Sequence, residues 1–358
     1  MNKIGIICEY NPFHNGHIYH LNKIKEMFPD SMIILILNGY FTERGEISLL
    51  SKEDKIKIAL NNGVSLVVEL PVHYGVSSAD YFSYASLYIL NKLKVDYLVF
   101  GSESSDIKYL EELSNKELDI NKLKITNGES YNSYLNKIIS NDLIKSNDLL
   151  GSIYIKTIKK YNYNIKPICI KRTNDYKDIN SNNSIVSASN IRNKINNNED
   201  VSSYMPSESY NSLTNIDKSI YFKLLKYKIL TSNNLNDYLD VEEGLDYKLK
   251  KVILTVNSYD ELVNALKSKR YSYNKIRRMF IHILLGTRKN NPDIEYIHIL
   301  GMNNQGRLYL NSIKKDINLK INKESPLFKE EIYSSIIYDL LTNKDTFNYE
   351  KKVSIILK

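Results

Sequence analysis

Five short apolar runs, separated by polar and helical patterns, constrain the fold of this chain more than any other feature. They read IGIICE, MIILIL, SLVVEL, VDYLVFG and KPICIKR, and all five lie within the first 172 residues. Their apolar residues are largely continuous rather than alternating, which is typical of parallel strands buried on both faces. Strands that alternate with helices favour an α/β fold built on a parallel sheet.

The character of the chain changes beyond Pro206, where long helical patterns replace the strand and helix alternation. They read YFKLLKYKIL, YDELVNALKSK and YNKIRRMFIHILLG. A length of 358 residues also suits two domains better than one. We therefore predict an α/β domain over residues 1–200 and a mostly helical domain over residues 201–358.

The composition predicts a cytoplasmic protein with no membrane partner. No apolar run reaches the length of a membrane span, and the N-terminus lacks the pattern of a signal peptide. Cys8 and Cys169 have no metal-ligand spacing and cannot form a disulfide framework. A net charge of +8 gives mild support for a polyanionic partner.

Three of the six histidines fall within one short stretch, EYNPFHNGHIYHL, directly after the first predicted strand. His14 and His17 flank an Asn-Gly turn at the point where the strand gives way to a helix. The helix N-terminus supplies unpaired N–H groups and positive potential, so two imidazoles there would face a phosphate. A metal site is the rival interpretation, with Glu9 as the nearby third ligand. We favour phosphate chemistry.

Further polar residues follow other strands of the same predicted sheet. Ser187 and Ser189 in SASNIR lie at a predicted helix N-cap, with Arg192 one turn later, where they could bind phosphates. Arg172 follows the fifth strand and could neutralise phosphate in the same crevice. Gly101 ends the fourth strand and leaves room for a nucleotide ring or ribose.

These motifs resemble a known family. His14-Asn15-Gly16-His17 matches the HxGH signature of the nucleotidyltransferase superfamily, and the longer string EYNPFHNGHIYHL is similar to bacterial tRNA(Met) cytidine acetate ligases. Other segments resemble that family in the same order along the chain. They read NGYFTERGE, VELP, FGSE, SNDLLG, KRTNDYKD, VSASNIR, YSYNKIRRMFIHILLG and LGMNNQGR.

The chain departs from the family pattern at a few positions. Tyr40 and Glu43 differ within NGYFTERGE, and Tyr176-Lys177-Asp178 replaces Tyr-His-Asp. Asp148 stands where the family has an amide, and Ser189 replaces a threonine while keeping its hydroxyl. None of these changes removes the HxGH signature or the downstream arginines.

The resemblance implies a Rossmann-like HxGH nucleotidyltransferase domain and a two-step ligase reaction. Acetate would attack the α-phosphate of ATP to give acetyl-adenylate, and the wobble cytidine of elongator tRNA(Met) would then accept the acetyl group as N(4)-acetylcytidine. We expect His14, His17 and Arg192 to be the catalytic residues. ATP is the expected cofactor and Mg²⁺ its expected companion, with ligands that the sequence does not name.

The expected binding residues form two sets. The ATP site would comprise Ile7, Cys8, Glu9, Tyr10, Asn11, Pro12, Phe13, His14, Asn15, Gly16, His17, Ile18, Tyr19, His20, Gly101, Asn147, Arg172, Ser187, Ser189 and Arg192. Basic clusters in the helical half could neutralise RNA phosphates, and we select Lys250, Lys251, Lys275, Arg277 and Arg278 for tRNA binding.

Two other functions would fit parts of the sequence. A small-molecule adenylyltransferase would use the same HxGH chemistry, but it would leave the basic helical half unexplained. An RNA-binding protein without turnover would be expected to have lost the HxGH signature or the second-signature arginine, and both are present.

Overall fold

The structure is a computed structural model that describes residues 1–120, 144–172 and 185–358. Its centre is one sheet, and the strands are β1 (Lys3–Cys8), β2 (Met32–Asn38), β3 (Leu66–Leu70), β4 (Tyr97–Ser102), β5 (Lys166–Lys171), β6 (Ile299–Met302) and β7 (Ile356–Leu357). Their order across the sheet is β5-β4-β1-β2-β3-β6-β7. The first five strands run parallel to one another.

Helices cover both faces of this sheet and make up most of the second half of the chain. They are α1 (Asn15–Met27), α2 (Lys52–Asn61), α3 (Val72–Gly75), α4 (Ala79–Lys92), α5 (Ile107–Ile120), α6 (Ser146–Lys160), α7 (Ala188–Asn196), α8 (Ser207–Asn211), α9 (Lys218–Thr231), α10 (Leu245–Val252), α11 (Tyr259–Leu266), α12 (Tyr273–Leu285), α13 (Asn304–Ile313), α14 (Pro326–Thr342) and α15 (Phe347–Lys352). Within the described ranges, none combines the length and apolar character needed to cross a bilayer.

The five predicted parallel strands are all present, because each apolar run is buried between helices. In β2 and β3 every residue is buried, so both faces of these strands lie in the core. The strand order places β1 between β4 and β2, which makes the gap between β1 and β4 the switch point of the sheet. Ligands of parallel α/β sheets bind beyond the carboxyl ends of the strands at such a point.

The end of the chain returns to the sheet. Strand β6 pairs antiparallel with β3, where Val67 lies opposite Gly301, and β7 pairs with β6. The core of the helical half also includes Tyr40 and Phe41 from the first half, packed with residues of α9 to α12 and α14. The proposed division at residue 200 stays a prediction.

A fully buried lysine connects the two halves. Lys52 of α2 is 0% exposed, and its Nζ lies 2.5 Å from Glu69 Oε1, 2.9 Å from Glu331 Oε2 and 2.8 Å from Glu350 Oε1. Tyr40 donates its hydroxyl to Glu350 at 2.8 Å. Because α14 and α15 supply two of the three carboxylates, this cluster joins the end of the chain to the sheet.

Candidate functional site

A cavity of about 290 Å³ opens beyond the carboxyl ends of β1, β4 and β5. Residues from the start of α1, the start of α6 and the start of α7 line it together with the last residues of these strands. It therefore lies at the switch point of the sheet, where the fold favours a ligand site.

His14 and His17 cap the first helix by a reciprocal pair of hydrogen bonds. The Gly16 N–H donates to His14 Nδ1 at 3.0 Å, and the His14 N–H donates to His17 Nδ1 at 3.1 Å. Each Nδ1 accepts a hydrogen bond from a backbone N–H, so the single N–H of each neutral ring is on Nε2. The two rings lie 3.9 Å apart and both line the cavity. They can therefore present two N–H donors to one anion.

Burial and neighbouring cations keep these imidazoles neutral. Burial, with Arg172 and Arg192 nearby, lowers the pKa of His14 to about 3. Burial and the adjacent histidines lower the pKa of His17 well below its usual value, and burial with Arg172 lowers that of His20 to about 4. At neutral pH the cluster therefore acts through hydrogen bonds rather than through positive charge.

The low pKa values predict that the protein loses stability as the pH falls below 6.5. In the unfolded chain each histidine takes up its proton near pH 6.5, whereas His14 and His20 do so near 3 and 4 when folded. The unfolded state then binds more protons, so the free energy of unfolding falls by about 1.4 kcal/mol per pH unit for each such histidine. Urea unfolding between pH 7 and pH 5 measures this slope. His20→Gln removes one of these histidines and should reduce the slope by about 1.4 kcal/mol per pH unit. An unchanged slope would contradict the low pKa of His20.

Arg192 reaches the cavity from α7. Ser187 caps this helix by accepting the Asn190 N–H at 3.2 Å, as predicted. The Arg192 guanidinium donates to Asn11 O at 2.8 Å and to Ser189 Oγ at 3.1 Å, and it pairs with Glu46 Oε2 at 2.9 Å. Three contacts fix the guanidinium at the edge of the cavity, next to the turn between β1 and α1 that leads to the histidines.

Arg172 and Asn147 also line the cavity and contact each other. Arg172 donates to Asn147 Oδ1 at 3.1 Å, and Asn147 Nδ2 donates to Glu103 Oε1 at 2.6 Å. Asp148 points away from the cavity. It is buried and accepts hydrogen bonds from Ser102 Oγ at 2.5 Å and from two backbone N–H groups of the turn after β4. Its negative charge therefore organises that turn.

Most residues predicted for ATP binding line the cavity. The exceptions are Pro12, Phe13, Asn15 and Ile18, which lie outside the lining. Gly101 lies beside Arg172, whose Cγ would be 3.3 Å from a Cβ at this position. Burial raises the pKa of Cys8 to about 12, so its thiol is protonated at neutral pH. The Tyr176-Lys177-Asp178 departure falls outside the described residues.

The loop between Phe41 and Ile47 also lines the cavity, through Glu43, Arg44 and Glu46. No role was predicted for it from the sequence. Gly45 in this loop has φ +72°, and a Cβ there would lie 2.4 Å from Arg278 N. The loop therefore packs directly on the backbone of α12. The resemblance of its segment NGYFTERGE to the ligase family was the signal that could have identified these residues.

The five cations predicted for tRNA binding lie on two helices, three on α12 and two at the end of α10. Arg277 pairs with Glu46 at 3.2 Å and Arg278 with Glu43 at 3.3 Å, so both lie beside the cavity. Lys275 pairs with Glu242. Lys250 and Lys251 lie at the end of α10, where Lys251 is exposed.

The histidines outside the cluster are buried and contact carboxylates. His298 Nδ1 lies 2.7 Å from Glu69 Oε2, and His282 Nδ1 lies 3.3 Å from Asp240 Oδ2. His73 is also buried, with its Nδ1 3.2 Å from Glu330 Oε2.

Comparison with known sequences gives one consistent result. A model of the family described as HIGH nucleotidyl transferase matches residues 1–354. The chain is 36% identical to the tRNA(Met) cytidine acetate ligase of Clostridium perfringens over the full length of both proteins. It is 36% identical to that of Caldicellulosiruptor saccharolyticus over 94% of this chain and 91% of the relative. It is 34% identical to the tRNA(Met) cytidine acetate ligase of Bacillus subtilis over 95% of this chain and 92% of the relative.

Comparison with solved structures supports the fold. Thermotoga maritima TmcAL, crystallised with alpha-thio ATP, superposes with a TM-score of 0.85 and is 24% identical over the whole of both chains. Similarity at this level of identity shows that the two proteins share a fold. The predicted α/β nucleotidyltransferase architecture is confirmed.

Proposed function

The chain belongs to the tRNA(Met) cytidine acetate ligase family of HIGH nucleotidyl transferases, and on this premise we propose that it acetylates a cytidine of elongator tRNA(Met) with ATP and acetate. The observation that carries this proposal is the pair of neutral, Nε2-protonated imidazoles beside Arg192 in the switch-point cavity. A small-molecule adenylyltransferase would explain neither the curated relatives nor the basic helical half.

In the first step, acetate attacks the α-phosphate of ATP and pyrophosphate leaves. Negative charge builds on the phosphoryl oxygens, and donors placed in advance stabilise it at no cost in reorganisation. We assign this role to the Nε2–H groups of His14 and His17. Arg192 would bind the departing pyrophosphate and exchange its contact with Glu46 for phosphate oxygens. Arg172 and Asn147 would contact the nucleotide from the end of β5 and the start of α6.

In the second step, the exocyclic amine of the cytidine attacks the acetyl carbon and AMP leaves. The RNA must reach the same cavity, and the loop at Glu43 and Glu46 connects that cavity to Arg277 and Arg278 of α12. These arginines are therefore the ones we place nearest the reacting nucleotide. Lys250, Lys251 and Lys275 would contact phosphates further along the strand.

Mg²⁺ stays a prediction, and the cavity contains a carboxylate that fits it. Glu43 and Glu46 contact arginines, whereas Glu9 Oε1 accepts hydrogen bonds from Asn38 Nδ2 at 3.0 Å and the Glu43 N–H at 2.6 Å. Mg²⁺ usually takes one or two carboxylates together with substrate phosphates and water. Glu9 would hold the ion, and Mg²⁺ would neutralise charge on the phosphates.

The test uses purified protein, ATP-Mg²⁺, labelled acetate and an unmodified elongator tRNA(Met) transcript. We expect label to enter the tRNA and to be recovered as N(4)-acetylcytidine after nuclease digestion. We also expect pyrophosphate exchange that depends on acetate and needs no tRNA. The matched control is a transcript in which the wobble cytidine is replaced by uridine, and it should remain unlabelled.

The two readouts separate the proposal from its alternatives. Exchange that requires a nucleotide-bearing small molecule instead of acetate would identify an adenylyltransferase. The absence of both exchange and tRNA labelling would count for an RNA-binding protein without turnover. Label in the uridine transcript would show that the acetyl group is transferred to a different position.

A further inference from the structure

A second cavity of about 520 Å³ lies at the far edge of the sheet, and neither the proposed reaction nor the predicted RNA contacts use it. Its walls come from β6, from α13, from residues 319–323 and from residues 352–355. We call it the α13 groove. Its lining has a basic part and an apolar part, and these point to one class of ligand.

The basic part consists of Arg307, Lys314, Lys323 and Lys352. Arg307 donates to Asn304 Oδ1 at 3.1 Å, whereas the three lysines have no ion pair or hydrogen bond with any described residue. No aspartate or glutamate from the described ranges lines the groove. Four cations without a counter-charge make a surface that attracts a polyanion.

The apolar part includes Ile299, Leu310 and Leu319, of which the first two are buried. Apolar side chains beside cations suit a ligand with an apolar body rather than a bare phosphate ion. A nucleotide combines the two features, because its base has an apolar face while its phosphate is charged.

An unpartnered nitrogen at the groove supports this interpretation. His298 lines the groove and is 7% exposed, and its Nε2 is buried without a hydrogen-bond partner among the described residues. Its Nδ1 lies 2.7 Å from Glu69 Oε2, so Nδ1–H donates to that carboxylate and Nε2 is left for another partner. A buried polar atom without a hydrogen-bond partner costs free energy. A polar group of a bound nucleotide would satisfy it.

We propose that the α13 groove binds an unpaired nucleotide of the RNA substrate at a second site, outside the catalytic cavity. The proposal rests on the proposed function, which supplies the RNA. Strand β6 is three strands from β1 in the sheet, so the groove lies at least about 14 Å from the catalytic cavity at about 4.8 Å per strand. At about 3.4 Å per nucleotide in a stacked strand, at least four or five nucleotides separate the two sites. An RNA that contacts both sites must extend over at least that length.

The test measures binding of elongator tRNA(Met) transcript to the full chain with Lys314→Glu and Lys323→Glu. The matched control carries Lys315→Glu and Lys320→Glu, because these exposed neighbours do not line the groove and make the same change in charge. We expect the groove variant to raise the Kd at least tenfold and to reduce the slope of log Kd against log salt by about 1.5. The control should change the Kd less than threefold.

A second measurement locates the contact. Transcript containing 4-thiouridine, irradiated on the wild-type protein, should crosslink to peptides that contain residues 298–323 or 352–355. Equal Kd values for the two variants, or crosslinks confined to other peptides, would overturn the proposal. So would saturation of the groove by AMP with no effect of the groove variant on tRNA binding, because that result identifies a free-nucleotide site.

Acetate-dependent pyrophosphate exchange separates this proposal from the proposed function. Exchange needs no RNA, so it reports on the first step alone. If wild-type exchange is absent while the groove variant still loses tRNA binding, the proposed function fails and the groove site stands. If exchange is present and both variants bind tRNA equally, the groove proposal alone fails.

Discussion

His17→Glu should lower acetate-dependent pyrophosphate exchange by at least about 10²–10³-fold, the usual effect of removing one donor that stabilises a transition-state anion. Glutamate is the appropriate replacement because a carboxylate at this third helical position can still accept the His14 N–H, as in an ordinary capping box. The cap is retained, while the Nε2–H that faces the cavity is lost, since an ionised carboxylate has no donor and the NH₂ group of glutamine would restore one. The exchange rate at saturating ATP measures the effect.

The control for this prediction is His73→Gln, which alters a buried histidine outside the cavity lining. His73 contacts Glu330, so its replacement should lower the free energy of unfolding by about 1 kcal/mol and leave exchange unchanged. His17→Glu should show the opposite pattern, with a normal unfolding midpoint and lost activity. Exchange within tenfold of wild type in His17→Glu would refute the role of this imidazole.

Lys52→Met should destabilise the protein by about 3–5 kcal/mol, because it removes the ammonium group that three buried carboxylates share. Methionine keeps much of the side-chain volume, so the loss reports on charge rather than on a cavity. In the wild type, Lys52 and His298 lower the pKa of Glu69 to about 2 despite its burial. Burial and Glu69 raise that of Glu331 to about 8.

The pH dependence of this defect identifies its cause. Without Lys52, burial and mutual repulsion raise the folded-state pKa values of the carboxylates above those of the unfolded chain. A raised carboxylate pKa gives stability that is present below the unfolded value, near 4.5, and lost as the pH rises. The difference between Lys52→Met and wild type in urea unfolding should therefore grow from pH 5 to pH 8. The control is Lys57→Met, whose exposed pair with Glu53 is worth at most about 0.5 kcal/mol.

The parallel strands could be predicted because their signal is local. A continuous apolar run between two helical patterns identifies a buried strand without knowledge of its neighbours. The same holds for the cap at Ser187, whose hydroxyl accepts the backbone N–H three positions later. The histidines of the cavity were found for a similar reason, since turn, glycine and both imidazoles lie within four residues.

Features that depend on distant partners could not be predicted in this way. Lys52 and Lys55 lie in SKEDKIKIAL, which indicates a solvated helical face, yet both are fully buried. Their burial depends on Glu331, Glu350 and the carbonyl oxygens of residues 38 and 39. Strand β6 has only four residues, one of them glycine, and becomes a strand because the edge of β3 is available to it. No local pattern signals either result.

The antiparallel pairing of β3 with β6 has a consequence for how the chain folds during synthesis. Strand β3 ends at Leu70 and β6 begins at Ile299, so about 230 residues separate them. At about 5–20 residues per second, a ribosome needs roughly 10–50 s to produce that stretch. During this time the five parallel strands can assemble, but β3 remains an open, apolar edge of the kind that pairs with other chains. Overproduction in a host with fast initiation, and therefore closely spaced ribosomes, is where we expect this protein to aggregate.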